Sequence, residues 1–333
     1  MLRILRPLLK IDAREVDFSR RGFFRGRPEV RRYLERVAGS FLHGYHAALR
    51  HDDQQELMFR LDAVEAADRG FAYEGAAMAM ALLDGMSPWG ERFRRFAAGA
   101  GQQHIYMLHV GAGWACARLP WLRLRIESSI RRFHPLLRWL AIDGYGFHEG
   151  YFHGHLLAQA RIERSRVSPY LRQIFYQGLG RSLWFSCAAD PETIARTIAT
   201  FAPQYQSEAW SGAGLACAYA GGVRRNEIED LRRLAGVHSA SLAQGAAFAA
   251  KARHLAGNLT QPTEMASAVL CLLPAERAAA LCDEALSLLD ANHPCQYQQW
   301  REVLRAKLAG DSTIHLRGIS NESPSIMVSS AGR

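Results

Sequence analysis

The stretch GAGWACA at residues 111–117 returns as GAGLACA at 212–218, an offset of 101 residues. Gly144 and Phe147 map on Gly245 and Phe248 with the same offset, and Tyr73 and Gly75 map on Tyr176 and Gly178 with an offset of 103. Ser87-Pro88 and Asp190-Pro191 stand 103 apart as well, each reading as an N-cap followed by Pro at the first helical position. Between these anchors the glycines at 75, 111, 144, 178, 212 and 245 recur every 33 to 36 residues, near the ~34 of helix–turn–helix repeats. Gly44 reads as a degenerate member of the series.

Each glycine sits among alanines and other small residues, a stripe on which a second helix backbone can approach closely. That approach has to outweigh the ~1 kcal/mol by which a mid-helix glycine disfavours the helix relative to alanine. Amphipathic partners lie between the small-residue helices, such as WGERFRRFAA (89–98) and IRRFHPLLRWLAI (130–142), with arginine outward and aromatic or leucine inward. The expected fold is all-α, a helical-hairpin repeat array, either a TPR-like α-solenoid or a closed bowl, made of two related copies of about 100 residues. Copy one spans about 69–160 and copy two about 169–256. A leading helix starts at Pro28, and C-terminal helices fill 263–310 of a single domain over 28–310. Residues 1–27 read as a basic arm and 311–333, polar and aperiodic, as a disordered tail. The stretch 161–168 (RIERSRVS) reads as a seam too short for a full partner helix.

Composition excludes more than it identifies. The 333 residues, 49% hydrophobic and 22% charged, rule out a wholly disordered chain. Of the 41 basic residues only Lys10, Lys251 and Lys307 are lysines. The arginine clusters at 20–27, 122–134 and 223–233 are read as solvated helix faces laced with acidic residues, so no nucleic-acid partner is expected. No run of 18 apolar residues occurs, so no transmembrane segment is expected; the N-terminal sequence lacks a secretory cleavage pattern, and a cytoplasmic location follows as an expectation. The six cysteines form no C-x-x-C pair and read as reduced core thiols.

Chemistry concentrates in the first copy. Nine of the thirteen histidines fall between 43 and 155. Across the offsets Glu74 matches Gln177, His109 matches Trp210, His148 matches Ala249, Glu149 matches Ala250 and His155 matches Ala256. In DGYGFHEGYFHGH (143–155), Glu149 and His153 lie one helical turn apart, about 40° around the axis, and can share a proton. The spacing is H-E-x-x-x-H and not the H-E-x-x-H of zinc proteases, so no metal is assigned. Glu74, alone in an apolar stretch, would have its pKa raised by burial and become an acid or base near neutrality. The candidate catalytic residues are therefore Glu149, His153, Glu74 and His148, with His109, Trp114, Tyr151, His155 and Asp143 as candidate ligand-binding residues; the cofactor is unknown. Asp52, Asp53 and Glu56 in HDDQQE resemble the aspartate-rich magnesium motif of class I terpene cyclases but stand without its companion motif, where a polar interhelix loop is expected. Neither a P-loop nor a nucleophile elbow occurs.

The segments RGFAYEGAAMAMALLDG (69–85), HVGAGWACARLPW (109–121), DGYGFHEGYFH (143–153), GRSLWF (180–185) and LAQGAAFAAKAR (242–253) resemble the bacterial UnbL-like domain-of-unknown-function family, often encoded near enediyne polyketide synthases, over about residues 15–290. The resemblance implies an accessory part in making or maturing a polyene-derived natural product and supplies no reaction and no catalytic residues. Three functions are carried forward: binding or processing of an apolar polyketide intermediate; a non-catalytic scaffold docking a polyketide synthase or another pathway protein; and a non-canonical metal-dependent cyclase.

Overall fold

The computed structural model describes residues 6–87, 89–290, 293 and 295–310; the tail at 311–333 and Pro88 lie outside the described residues. Among the described residues there is helix and no strand. The main helices are α1 (Pro28–Arg50), α2 (Gln54–Asp62), α3 (Ala66–Gly85), α4 (Arg92–Ala98), α5 (Ile105–Arg118), α6 (Trp139–His153), α7 (His155–Arg164) and α8 (Pro169–Ser186). They continue with α9 (Pro191–Ala199), α10 (Pro203–Ala220), α11 (Arg225–Ala235), α12 (Ser239–Leu255), α13 (Gln261–Leu270), α14 (Ala275–Ser287) and α15 (Gln296–Leu308).

Seven of these, α1, α3, α5, α6, α8, α10 and α12, pack in that order, each against the next. The G-x-G pairs explain how. In α8 a Cβ on Gly178 would lie 1.8 Å from the Asp143 carbonyl oxygen of α6, and one on Gly180 would lie 2.1 Å from the Ala209 carbonyl oxygen of α10. The neighbours return the contact, since Gly146 stands 2.1 Å from the Phe175 oxygen and Gly212 1.9 Å from the Gln177 oxygen by the same construction. The pairs Gly111/Gly113, Gly144/Gly146 and Gly212/Gly214 divide the same way, the first glycine facing the preceding helix and the second the following one. In α5, α6, α8 and α10 the two close neighbours are met by two glycines two residues apart, which is what GAGWACA and GAGLACA encode, while α3 meets its neighbours with Gly75 and Ala77. At such distances backbone Cα–H groups meet carbonyl oxygens directly, adding weak hydrogen bonds to dense dispersion contact.

The series turns back on itself. Tyr33 of α1 donates its hydroxyl to the Ala220 carbonyl at 2.8 Å, Arg253 of α12 donates to Ala67 at 2.9 Å, and Asn258 donates to Ala66 at 3.0 Å. The N-terminal segment is folded onto this body: Ile11 and Phe18 are buried, and Leu9 accepts a hydrogen bond from Tyr45 at 2.6 Å. On α15, Trp300 donates to Cys282 at 2.8 Å, Arg305 meets Glu208 at 2.9 Å, and Arg301 is ion-paired with the same carboxylate. The cysteines are all free, five of them buried.

Asp190 caps α9 as expected, accepting from Thr193 N at 2.8 Å. Its counterpart Ser87 does not start a helix, since α4 begins only at Arg92 and is capped instead by Asp84, which accepts from Arg92 N at 3.1 Å and Phe93 N at 2.9 Å. The stretch 130–142 is not one partner helix: a short turn ends at Arg132, Pro135 interrupts the chain, and Trp139–Ile142 opens α6. The seam is shorter than expected because α6 stops at His153, where Gly154 at φ 76° turns the chain and lets α7 form a ten-residue partner helix.

Candidate functional site

The inner helices surround an apolar cavity of about 60 Å³, several times the room one water molecule needs. Its wall is Val37 and Phe41 of α1, Phe71 and Glu74 of α3, Trp114 of α5, Phe147 and Tyr151 of α6, Arg181 and Phe185 of α8, Leu215 and Tyr219 of α10, with Ile11, Glu15 and Val16 of the N-terminal segment. A second apolar space of about 30 Å³, bordered by Asp143, Phe248, Tyr297 and Trp300, shares Arg181, Leu215 and Tyr219 with the first.

A buried charge cluster lies along this shared wall. Arg181 Nε is 2.9 Å from Asp143 Oδ1, and Arg181 Nη2 is 3.9 Å from Glu74 Oε1. Gln177 Nε2 donates to Asp143 Oδ2 at 2.7 Å and to the Tyr297 hydroxyl at 3.3 Å. All five side chains are at least 94% buried. Burial lifts Glu74 to about 7, opposed by Arg181 and by the Trp114 indole and reinforced by Asp143. Burial also raises Asp143, while Arg181 and the Gln177 hydrogen bond pull it back. One guanidinium faces two carboxyls, and with Glu74 half-protonated near neutrality the charges nearly balance. Glu74, Asp143, Gln177, Ser211 and Gln244 each precede a joint glycine, so one register position delivers the interior polar groups; Ser211 donates to Gln244 at 2.9 Å.

A second cluster forms where α6 ends. His148 Nδ1 is 3.4 Å and His153 Nε2 3.8 Å from Glu149 Oε1, while Arg161 of α7 holds Glu149 Oε2 at 2.7 Å. Burial would raise Glu149, but the nearby His148 and the hydrogen bond from Arg161 more than offset it, and the carboxylate titrates below its ordinary range. Burial lowers His148 and His153 below the usual imidazole value, against the pull of Glu149. One atom from each of the three residues lies within 4.8 Å of the others, so these are the residues that could hold a metal ion. Glu149 does not line the cavity; the Trp114 and Phe152 rings pack on His148, with ring centres 5.6 and 4.7 Å away, and stand between.

The candidates thus divide. Glu74, Trp114 and Tyr151 line the larger cavity, Asp143 borders the smaller one, and His148, Glu149 and His153 form the separate cluster. His109 belongs to neither: its Nδ1 lies 2.8 Å from the Ile105 carbonyl, its ring packs edge-on against Phe93 and Phe133, and burial lowers it to about 4. His155 sits on α7 beside Phe201. Asp53 caps α2 by accepting from Glu56 N at 2.8 Å, and Asp52 is ion-paired with Arg6. Arg181 is the residue that sequence reasoning passed over. Its signal was a charge directly after a joint pair, in the GLGRSLWF of α8, where the first copy has Met78.

Residues 1–308 match the family model described as "Protein of unknown function (DUF1702)", and the chain belongs to that family. No curated protein and no solved structure matches it.

Proposed function

We propose that this protein binds an elongated apolar molecule of the polyene-derived polyketide class in the cavity between its inner helices, and exchanges a proton with it through Glu74. The reading joins two supports: the sequence resemblance to proteins encoded near enediyne polyketide synthases, and a largely apolar space whose wall carries Arg181 and two carboxyls, the buried Glu74 and Glu15 of the N-terminal segment. The second observation carries it. Apolar walls supply affinity without direction, and a few convergent polar groups fix orientation. A carboxyl at about 7 is both a competent acid and a competent base at neutral pH, and Arg181 can donate to a carbonyl or carboxylate oxygen of the ligand. In this role the protein is an accessory to the synthase, taking up an intermediate after its release.

The test uses the full chain and a fluorescent conjugated tetraene fatty acid. Micromolar binding is expected, abolished in Ala38→Trp, which puts an indole into the cavity that Ala38 of α1 also lines, and retained in the control Arg225→Ala on the surface. Absence of binding, or binding indifferent to Ala38→Trp, overturns the reading. In a producing strain, Glu74→Gln at unchanged protein abundance should alter the metabolite profile. An unchanged profile favours the scaffold that docks a synthase. For the cyclase alternative, Asp52 is ion-paired with Arg6 and Asp53 caps α2, and a magnesium-dependent product from a prenyl diphosphate would favour it over the binding reading.

A further inference from the structure

The arginines are not equivalent. At 223–233 they are matched by acids, Arg225 with Glu229 at 2.9 Å and Arg233 with Asp230 at 3.1 Å, and near the N-terminus Arg20, Arg21 and Arg27 pair with Glu15 and Glu227. Between α5 and α6 the pattern fails. Arg118, Arg123, Arg125, Arg131 and Arg132 are all exposed, and none makes an ion pair with a described residue. The acid among them, Glu127, turns to accept from Ser168 N at 2.8 Å. The interleaving expected from sequence therefore does not neutralise this cluster.

Large apolar side chains share the face. Leu124 is 83% and Trp121 52% exposed, and Trp121 is fixed by donating its indole N–H to the Gly85 carbonyl at 3.0 Å. Trp121, Leu122, Leu124, Arg125 and Arg132 border one shallow depression. Exposed tryptophan and leucine ringed by unpaired guanidinium groups is the chemistry of the bilayer interface, where the rings enter the headgroup region and the arginines meet lipid phosphates. We infer that residues 118–132 dock this protein on an anionic phospholipid surface. Leu124 decides against a nucleic acid, which offers an aliphatic side chain on a basic rim no comparable gain. The inference is independent of the cavity reading, although a membrane is where an apolar ligand would be collected.

Co-sedimentation with vesicles tests it. The protein should bind vesicles of phosphatidylcholine with about a third phosphatidylglycerol, bind pure phosphatidylcholine at least tenfold more weakly, and be released by half-molar salt. Arg125→Glu with Arg132→Glu should lower partitioning about thirtyfold or more, and Leu124→Ser several-fold, with thermal unfolding unchanged since all three side chains are exposed. Arg225→Glu with Arg233→Glu should change neither. Equal binding to neutral vesicles, or loss in the α11 variant equal to that in the Arg125/Arg132 variant, overturns the inference. So does tighter binding to a duplex DNA of matched charge that ignores Leu124→Ser.

Discussion

Helices α3 and α8 hold equivalent places in the two copies, and both close on a neighbour through a glycine, Gly75 on Phe41 and Gly178 on Asp143. The residue before that glycine is Glu74 in one and Gln177 in the other, and one turn later Met78 faces Arg181. At the positions before its joint glycines the second copy carries neutral groups: Ser211 donates to Gln244, and Gln177 to Asp143 and Tyr297. The first places two carboxyls there and takes its counter-charge, Arg181, from the second. The packing rule thus holds in both halves, and the electrostatics are divided between them. Neither half is a complete site.

The joints should be indifferent to this division. Gly178→Ala and Gly212→Ala each force two backbones apart, and a loss of about 4 kcal/mol or more is expected for both, read as failure to give folded protein or a collapse of the denaturation midpoint. Gly39→Ala, in α1 with nothing within 4 Å of its Cβ, should instead stabilise by up to ~1 kcal/mol. If Gly178→Ala and Gly39→Ala behave alike, the packing rule fails.

The charge cluster should break asymmetrically. Arg181→Met, giving the second copy the residue of the first, leaves Asp143 and Glu74 buried without a counter-charge and should cost about 3–5 kcal/mol. Adding Glu74→Gln and Asp143→Asn should recover most of it, as measured by urea unfolding. No recovery would mean that Arg181 acts by filling space.

Stability should follow pH through Glu74. Its folded pKa, about 7, stands above its ordinary 4.5, so folding favours the protonated form. The associated stability is full below about pH 4.5 and is lost as pH rises through about 7, amounting to about 3 kcal/mol. Glu74→Gln should remove this slope, so the variant gains on the wild type between pH 5 and pH 8. Parallel pH curves for the two proteins would place Glu74 in contact with solvent.

The smallest effects belong to the end of α6. Glu149→Ala, the second-copy residue, strips Arg161 and His148 of their partner and should cost about 1–3 kcal/mol. His153→Ala, with a side chain about a third exposed, should stay within about 0.5 kcal/mol. A larger cost for His153 than for Glu149 would reverse the order of burial on which this expectation rests.

Much of the fold was legible because backbone contact leaves a direct mark: only glycine tolerates a carbonyl at 2 Å from where a Cβ would be, so the joints had to appear as a glycine period. Glu74 was legible as a charge in an apolar run. The convergence of Glu149 and His153 was legible because one turn of helix decides it. Ser87-Pro88 misled, since a capping signature is local and Asp84 competes for the same amides from the preceding helix. The acid-laced reading of 122–134 misled for a similar reason: Glu127 is near in sequence but is bonded elsewhere.

By itself, then, the sequence determined the helices, their order and the spacing of their contacts, because each of these depends on side-chain size along one helix. Only the tertiary structure decided which buried charges meet. Arg181 lies 107 residues from Glu74 and 38 from Asp143 in the chain, and no local pattern reports a distance across a curved row of helices. Nor could the sequence separate the cavity wall from the cluster behind it: Tyr151 and Glu149 are two residues apart on one helix, about 200° around its axis, and the rings of Trp114 and Phe152 stand between the spaces they face.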